Sequence, residues 1–573
     1  MLAGYMEKGQ VMMDRSRIVS RLSEDVYDLV IVGGGIYGAS AAWDASLRGL
    51  SVALVEKGDF AGATSSQHFK MVHGGIRYLQ HFDLIRIRES ISERRALLRT
   101  APHLIDPLPI VIPTYKGSFL NSKYLLGLGM FVYDLIAFDR NRGINSRKKQ
   151  IPRGRLLSRS EVLDMFPDIQ SDGLTGAALF HDAQMYNPPR FVMSLISGAV
   201  ENGASVCNYM PARKFILDNN RVTGIEAEDL ASGDSISIRG KVVLNAAGPW
   251  THWFINENLG IELKPGVNFS RDTCFLVKRK LSDRFVLAVM GQTRDPDSIV
   301  SREARHLFIV PWRNYSLVGV WHVVKTEKPE AVTATRAEIE AYIEEVNAAY
   351  PGLNINYDEI TVCNWGLTLF GENEPGKKDL SYGKRSRLVD HEIEDDIKGL
   401  VSLIGVRATA SRGMAVKAVN LVQRKIGESR VPTKTGTTPM WGGNIRDFSE
   451  YMEKQFGSCP VEFDKSIFLS LLRNYGNKYM DVVKYAMEQP QLAEAFEGTN
   501  VIKAEMLYAA REEMAQSLSD VVLRRTELGS GGYPGYEILE QCAELLGDEL
   551  GWDNEQRKIE VDKVIGCYPN ISG

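Results

Sequence analysis

Apolar side chains run without a break over Leu29-Val30-Ile31-Val32 and again over Val52-Ala53-Leu54-Val55, and the stretch between them is dominated by Gly, Ala and Ser. Short uninterrupted apolar runs bounded by turn residues predict strands buried on both faces, as in a parallel sheet, and the small-residue stretch predicts a helix lying close on them. Two later runs have the same character. Lys241-Val242-Val243-Leu244-Asn245 ends in Ala246-Ala247-Gly248-Pro249-Trp250, and Leu400-Val401-Ser402-Leu403-Ile404 runs into Gly405. Segment 82–99 carries apolar positions at helical spacing among charges, and 191–202, 336–349 and 414–424 read as helices. Between about 263 and 372 the pattern changes to separate strand-like runs at 273–277, 285–289, 306–312 and 316–320, and 222–227 with 235–238 reads as a hairpin. From about 431 onward the chain is helical and charged. The pattern predicts an α/β Rossmann-like domain over 25–262 and 380–428, an interleaved antiparallel-sheet domain over 263–379, a C-terminal helical domain over 429–573 and a mobile leader over 1–24.

The turn after the first apolar run is Gly33-Gly34-Gly35-Ile36-Tyr37-Gly38, and the second run ends in Glu56. A Gly-x-Gly-x-x-Gly turn between strand and helix brings backbone close to a pyrophosphate, and the helix N-terminus faces the phosphates with unpaired N–H groups. An acid at the end of the second strand accepts from ribose hydroxyls. With strand, helix and acid in register, the unit is built for an ADP moiety, which leaves FAD and NAD both open.

Composition narrows the class. At 573 residues, with 44% hydrophobic and 24% charged residues, the chain is an ordinary globular protein of roughly two or three domains. A net charge of -4 excludes a general nucleic-acid binder. The six cysteines stand singly, without metal-like clusters, and residues 1–24 lack a continuous apolar run, so a reducing cytoplasm without a metal site is the expectation. Tyr124 to Ile136 is the most apolar stretch but is too short to span a bilayer and contains Asp134. It predicts a buried helix, with peripheral contact on the inner membrane face as the alternative.

Past Glu56, Ala63-Thr64-Ser65-Ser66 offers small and hydroxyl residues that follow a cofactor's phosphates, and His73-Gly74-Gly75 makes another close backbone approach. The turn Gly405 to Thr409 opens a helix whose N–H groups can aim at an electron-rich ring.

These segments, with Arg77-Tyr78, Asn245 to Trp250, Val310-Pro311-Trp312, and Leu472 to Gly476 and Asp520 to Thr526 in the tail, resemble the FAD-dependent glycerol-3-phosphate dehydrogenases of the amino-acid-oxidase-like flavoprotein superfamily. The resemblance runs from about Asp28 onward. It implies FAD, hydride transfer from a secondary alcohol to flavin N5, a quinone or other electron acceptor, and an enzyme of a kind often dimeric and peripheral on membranes. The candidate FAD contacts are Gly33, Gly35, Gly38, Glu56, Thr64, Ser65, Ser66, His73, Gly74, Gly75, Val206, Ala247, Gly248, Gly405 and Thr409.

The resemblance breaks where that family handles its substrate. Its usual Gly-Val-Arg-Pro-Leu is here Gly366-Leu367-Thr368-Leu369-Phe370, which loses a phosphate-holding arginine, and its Gly-Gly-Lys is Gly405-Val406-Arg407. Its Gly-Thr-Thr-Asp is Gly319-Val320-Trp321-His322, and Ser270-Arg271-Asp272-Thr273 stands for a common Lys-Gly-Ser-His. His322 is the candidate base, because imidazole titrates near neutral pH; a strand-end histidine bonded to a neighbour is the alternative. Arg77 and Arg407 are candidate anion holders. Trp321 either caps a larger substrate or belongs to the core, and Arg271 or Arg412 would have to supply the charge lost at Thr368. Three functions follow: a dehydrogenase of glycerol 3-phosphate or a related phosphorylated or acidic polyol; a flavoprotein acting on another alcohol or an amine; and a flavin-binding assembly protein with a decayed site.

Overall fold

The computed structural model describes residues 13–81, 83–116, 123–263, 268–294, 304–369 and 386–569. Its first sheet is eight-stranded, with Arg387–Asp390, Leu400–Ile404, Ser235–Asn245, Val26–Val32, Val52–Val55 and Ser205–Cys207 in that order and the pair Ala212–Asp218 and Arg221–Glu228 extending from Ser235–Asn245. Val26–Val32 pairs in parallel on both sides, Leu29 opposite Val242 and Val52. Helices Ile36–Leu47, Pro188–Glu201 and Ser411–Lys425 pack together against this sheet. Leu29, Val30 and Ile31 and Val52 to Val55 are all buried, so successive side chains on opposite faces are covered alike, which is why these sequences are apolar without alternation. The helix Ile36–Leu47 sits so close that a Cβ on Gly38 would lie 1.9 Å from the Gly33 carbonyl oxygen, and Gly33 itself has φ +109°. Only glycine satisfies both positions.

The second sheet is nine-stranded, in the order Ile360–Leu369, Phe269–Val277, Tyr315–Lys325, Ala304–Trp312, Val286–Arg294, Ile105–Tyr115, Leu174–Met185 and Met71–Val72, with Arg155–Leu157 attached to Leu174–Met185. The sequence pattern confined this sheet to 263–379. The structure also draws strands into it from 71–185, a stretch assigned to the Rossmann-like span, and the joint between Val286–Arg294 and Ile105–Tyr115 is parallel. Strand pairing is non-local, so an apolar run shows that a strand forms without showing which sheet it joins. The helix Arg336–Ala349, opened by a Thr335/Glu338 capping box, covers one face with Tyr342 and Val346.

The C-terminal helices, from Phe448–Phe456 to Asn554–Ile565, form two apolar clusters of their own. A fully buried Arg190–Glu513 ion pair at 2.6 Å ties them to the first domain. Two expectations are corrected. Arg15–Glu24, inside the stretch read as a mobile leader, is a helix capped by Asp14 that buries Ile18 and Leu22, and Arg15 donates to the Asn208 carbonyl at 2.7 Å; residues 1–12 lie outside the described residues. The apolar stretch read as a buried helix is the helix Lys123–Ile136, which buries only Met130 and Tyr133. Tyr124, Leu128, Phe131 and Leu135 stand exposed because one edge alone of that helix rests on the molecule. Among the described residues no helix is long and apolar enough to cross a membrane.

Candidate functional site

A cavity of ≈ 1450 Å³ lies between the carboxyl ends of the parallel strands and the inner face of the second sheet. That is the crevice where open α/β sheets take their ligands. Gly33, Gly35 and Glu56 line one end, Ser65, Ala247 and Gly248 follow, and Gly405, Arg407 and Thr409 lie with His73, His322 and Thr368 at the other.

At the first end, one Glu56 carboxylate oxygen accepts from the Gly34 N–H at 2.6 Å and the other from the Gly58 N–H at 3.0 Å. Burial outweighs these bonds and holds the carboxyl above its usual range. The helix Ile36–Leu47 begins at Gly35 with no side-chain cap, and Ser65 Oγ accepts the Ile36 N–H at 2.9 Å. A helix N-terminus without its own cap, beside hydroxyls and a ribose-binding acid, fits the pyrophosphate and adenosine of FAD. Thr64 bridges to the second sheet: its hydroxyl donates to the Leu367 carbonyl and accepts the Leu367 N–H, both at 3.1 Å.

At the far end, His73 donates its N–H to Thr409 Oγ1 at 3.2 Å, and its Nδ1 lies 3.2 Å from Asp182. Asp182 is buried, which works to raise its carboxyl, but bonds from His73, Arg94 and the Gly74 N–H bring it below its ordinary value. Arg407 donates from Nη1 to the Tyr78 hydroxyl at 2.8 Å, and its backbone is held on both sides by the Tyr37 hydroxyl, which donates to its carbonyl at 2.7 Å and accepts its N–H at 3.1 Å. His322 Nδ1 lies 2.7 Å from Asp272 Oδ1 on the neighbouring strand, and both residues line the cavity. With the Asp272 carboxylate as acceptor, the matching tautomer is Nδ1–H, which leaves the lone pair on Nε2. The helix Ser411–Lys425 starts behind Arg407 at Ala410 without a side-chain cap.

Not every sequence candidate reaches the cavity. Gly38, Ser66, Gly74 and Val206 lie behind its wall: Ser66 donates to the Ala63 carbonyl at 3.0 Å, and Val206 is fully buried in the strand Ser205–Cys207. Arg77 belongs to the turn Ile76–His81, but its side chain falls outside the described residues. Trp321 points away from the cavity and stacks on Tyr342 at 5.3 Å in the core. Arg271 is buried on that same face and donates to Glu338 at 2.8 Å, and Arg412 forks onto Glu93 at 2.8 and 2.6 Å. Neither replaces the charge absent at Thr368. The residues that sequence reasoning missed are Asp272, Asp182 and Tyr37, which act through partners distant in the chain.

Residues 28–378 match the FAD dependent oxidoreductase family, and residues 433–557 match the C-terminal domain of alpha-glycerophosphate oxidase. The chain belongs to this family of FAD-dependent oxidoreductases, and FAD is its cofactor. Among individual proteins it is similar to a glycerol-3-phosphate dehydrogenase from Synechocystis, 30% identical over 554 residues that cover 95% of this chain and 96% of the relative. An aerobic glycerol-3-phosphate dehydrogenase from Staphylococcus haemolyticus is 29% identical over 568 residues, with 95% and 96% covered. The fold resembles that of the glycerol-3-phosphate dehydrogenase from Bacillus halodurans solved with FAD, at a TM-score of 0.74 and 22% identity over 97% of both chains.

Proposed function

We propose that this protein is a dehydrogenase that oxidises the secondary alcohol of glycerol 3-phosphate or of a closely related phosphorylated or acidic polyol. The observation that carries the reading is the pairing, at one end of the cavity, of a histidine–carboxylate couple with an arginine held in place. When bound, FAD supplies the hydride acceptor. His322 Nε2 takes the hydroxyl proton, and Asp272 steadies the imidazolium that results. Arg407, its backbone pinned by Tyr37, forks onto the substrate's anionic group. The N-terminus of the helix Ser411–Lys425 favours negative charge at that end of the cavity. The names of the relatives support the same substrate.

One observation favours a second reading, a flavoenzyme of altered substrate: Thr368 lines the cavity where the resemblance calls for an arginine. Anaerobic titration with a panel of alcohols and amines separates the two. Bleaching of the flavin by glycerol 3-phosphate supports the first, bleaching only by another compound supports the second, and bleaching by none leaves a flavin-binding protein without this chemistry.

The reading extends to a peripheral membrane position with a quinone or similar lipophilic acceptor. Tyr124, Leu128, Phe131 and Leu135, spaced along one face of the helix Lys123–Ile136, are exposed, while Leu125, Leu126, Leu128 and Met130 of that helix line the cavity. Contiguous exposed apolar surface of this kind marks an interaction site. Flotation with phospholipid vesicles tests it: wild type is expected to float and Phe131→Asp/Leu135→Asp to float less, and a wild-type protein that stays with the soluble fraction overturns it.

A further inference from the structure

Asp59 stands just beyond Glu56 on the loop that leaves the second parallel strand, and it is buried yet forms part of the cavity wall. Its carboxylate receives an unusual set of donors. Arg525 reaches it in a fork, Nη1 to Oδ2 at 2.8 Å and Nη2 to Oδ1 at 2.6 Å. Arg524 Nε reaches Oδ2 at 2.5 Å, and Asn208 Nδ2 reaches Oδ1 at 3.1 Å. Both arginines come from the C-terminal helical domain, more than four hundred and sixty residues away in sequence.

Local structure makes the double contact possible. Consecutive side chains on an α-helix diverge by about 100°, so two neighbours do not ordinarily meet one carboxylate. Here Val521–Arg525 is a π-helical turn, which changes that spacing and recurs at functional positions. The turn is fixed in its own right: Arg524 Nη2 donates to Asp520 Oδ1 at 2.6 Å, Arg525 Nη2 donates to the Glu513 carbonyl at 3.0 Å, and Glu513 is the acid paired with Arg190 of the first domain. Burial alone would raise the Asp59 carboxyl, but the two guanidiniums hold it down at about 2, so the cluster is charged at neutral pH.

The loop that this cluster grips carries the cofactor contacts. Gly58 donates to Glu56 Oε1, Tyr209 donates to the Gly58 carbonyl at 2.8 Å, and Met210 donates to the Glu56 carbonyl at 2.8 Å. Arg524, Tyr209 and Gly58 themselves line the cavity. The nucleotide end of the site is therefore walled on one side by the first domain and on the other by the C-terminal domain.

We propose that the C-terminal helical domain is part of the FAD site, its Arg524 and Arg525 acting as positioning residues that hold Asp59 and so fix the Glu56–Asp59 loop against the adenosine end of the cofactor. The proposal rests on Glu56 as the adenosine-binding acid. It gives the tail a task at the cofactor: that domain sets how tightly the flavin is kept, while the chemistry proceeds at the other end of the cavity.

The test is titration of the full-length apoprotein with FAD, followed by flavin fluorescence, alongside thermal unfolding of the same apoprotein. Arg524→Gln leaves the Arg525 fork on Asp59 intact and is expected to weaken FAD binding by about tenfold or more, the scale of a lost charge-assisted hydrogen bond, with the apoprotein's unfolding midpoint unmoved and Arg524→Lys recovering part of the loss. Asp59→Asn serves as the second variant, expected to weaken FAD in the same direction. Glu56→Ala is the control. If it weakens FAD while Arg524→Gln and Asp59→Asn do not, the clamp is wrong and the adenosine reading stands. If Glu56→Ala itself leaves FAD affinity unchanged, the adenosine reading falls and the clamp falls with it. A loss of affinity that only follows a lowered apoprotein midpoint also overturns the positioning role.

Discussion

At the Glu56 end of the cavity the contacts come from backbone N–H groups, a helix N-terminus and one acid, all within the stretch from Gly33 to Ser65. At the His322 end they come from side chains on separate strands and loops: His73, Asp272, His322 and Arg407, each held by a partner far away in sequence. The heart of the first end is a local structure that the strand–turn–helix pattern builds by itself, and only its outer wall, with Tyr209 and Arg524, comes from elsewhere in the chain. The second exists only once two sheets have closed on each other, and it is the end where this chain departs from the family's usual residues. On the proposed reading, the contrast makes cofactor and substrate recognition separable, one written in backbone geometry and the other in side-chain placement.

The separation can be broken experimentally. The largest effect is expected from His322→Ala, which should lower kcat by about 10²–10⁴-fold, the usual contribution of a positioned general base, while FAD affinity stays the same. Steady-state kinetics with flavin-content measurement checks both. Gly38→Ala should act in the opposite sense. Its Cβ would meet the Gly33 carbonyl at 1.9 Å, and backbone atoms cannot yield cheaply, so a loss of stability and FAD binding at or beyond the roughly 3 kcal/mol upper end of overpacking is expected. Purified Gly38→Ala with a full complement of FAD would show that the helix can move away.

On the proposed reading, Arg407→Ala removes the group that holds the substrate's anion. It is expected to raise KM for an anionic substrate by about 1.5–3 kcal/mol, roughly tenfold to a hundredfold, with Arg407→Lys intermediate and FAD affinity unchanged. Equal KM values for wild type and Arg407→Ala would remove Arg407 from substrate binding. The smallest effect is expected at Ser65→Ala, where loss of the acceptor for the Ile36 N–H should weaken FAD by about 0.5–1.5 kcal/mol and leave KM alone. A change in KM at Ser65, or in FAD affinity at Arg407, would show that the two ends are coupled.

The parallel strands, the glycine turn, the acid and the helical tail were legible in the sequence because each depends on residues close together in the chain. Period-two alternation also requires Trp321 and His322 to face opposite sides of their strand, but it does not say which side is inside. The sequence pattern confines the second sheet to 263–379, because nothing in Ile105–Tyr115 or Leu174–Met185 marks the sheet they join. The helix Lys123–Ile136 was read as buried from its apolarity, yet apolarity records a preference to leave water and not the neighbour that makes this possible.

What the sequence by itself determined is therefore the strand–turn–helix unit of the nucleotide end: Gly33 and Gly38 are set by local backbone sterics, and Glu56 by its place at the end of the second strand. Only the tertiary structure decided that Asp272 stands beside His322, that Trp321 belongs to the core, and that Arg524 and Arg525 close on Asp59. Those pairings are set by strand register and domain docking, where the energy lies in contacts between segments the chain brings together last.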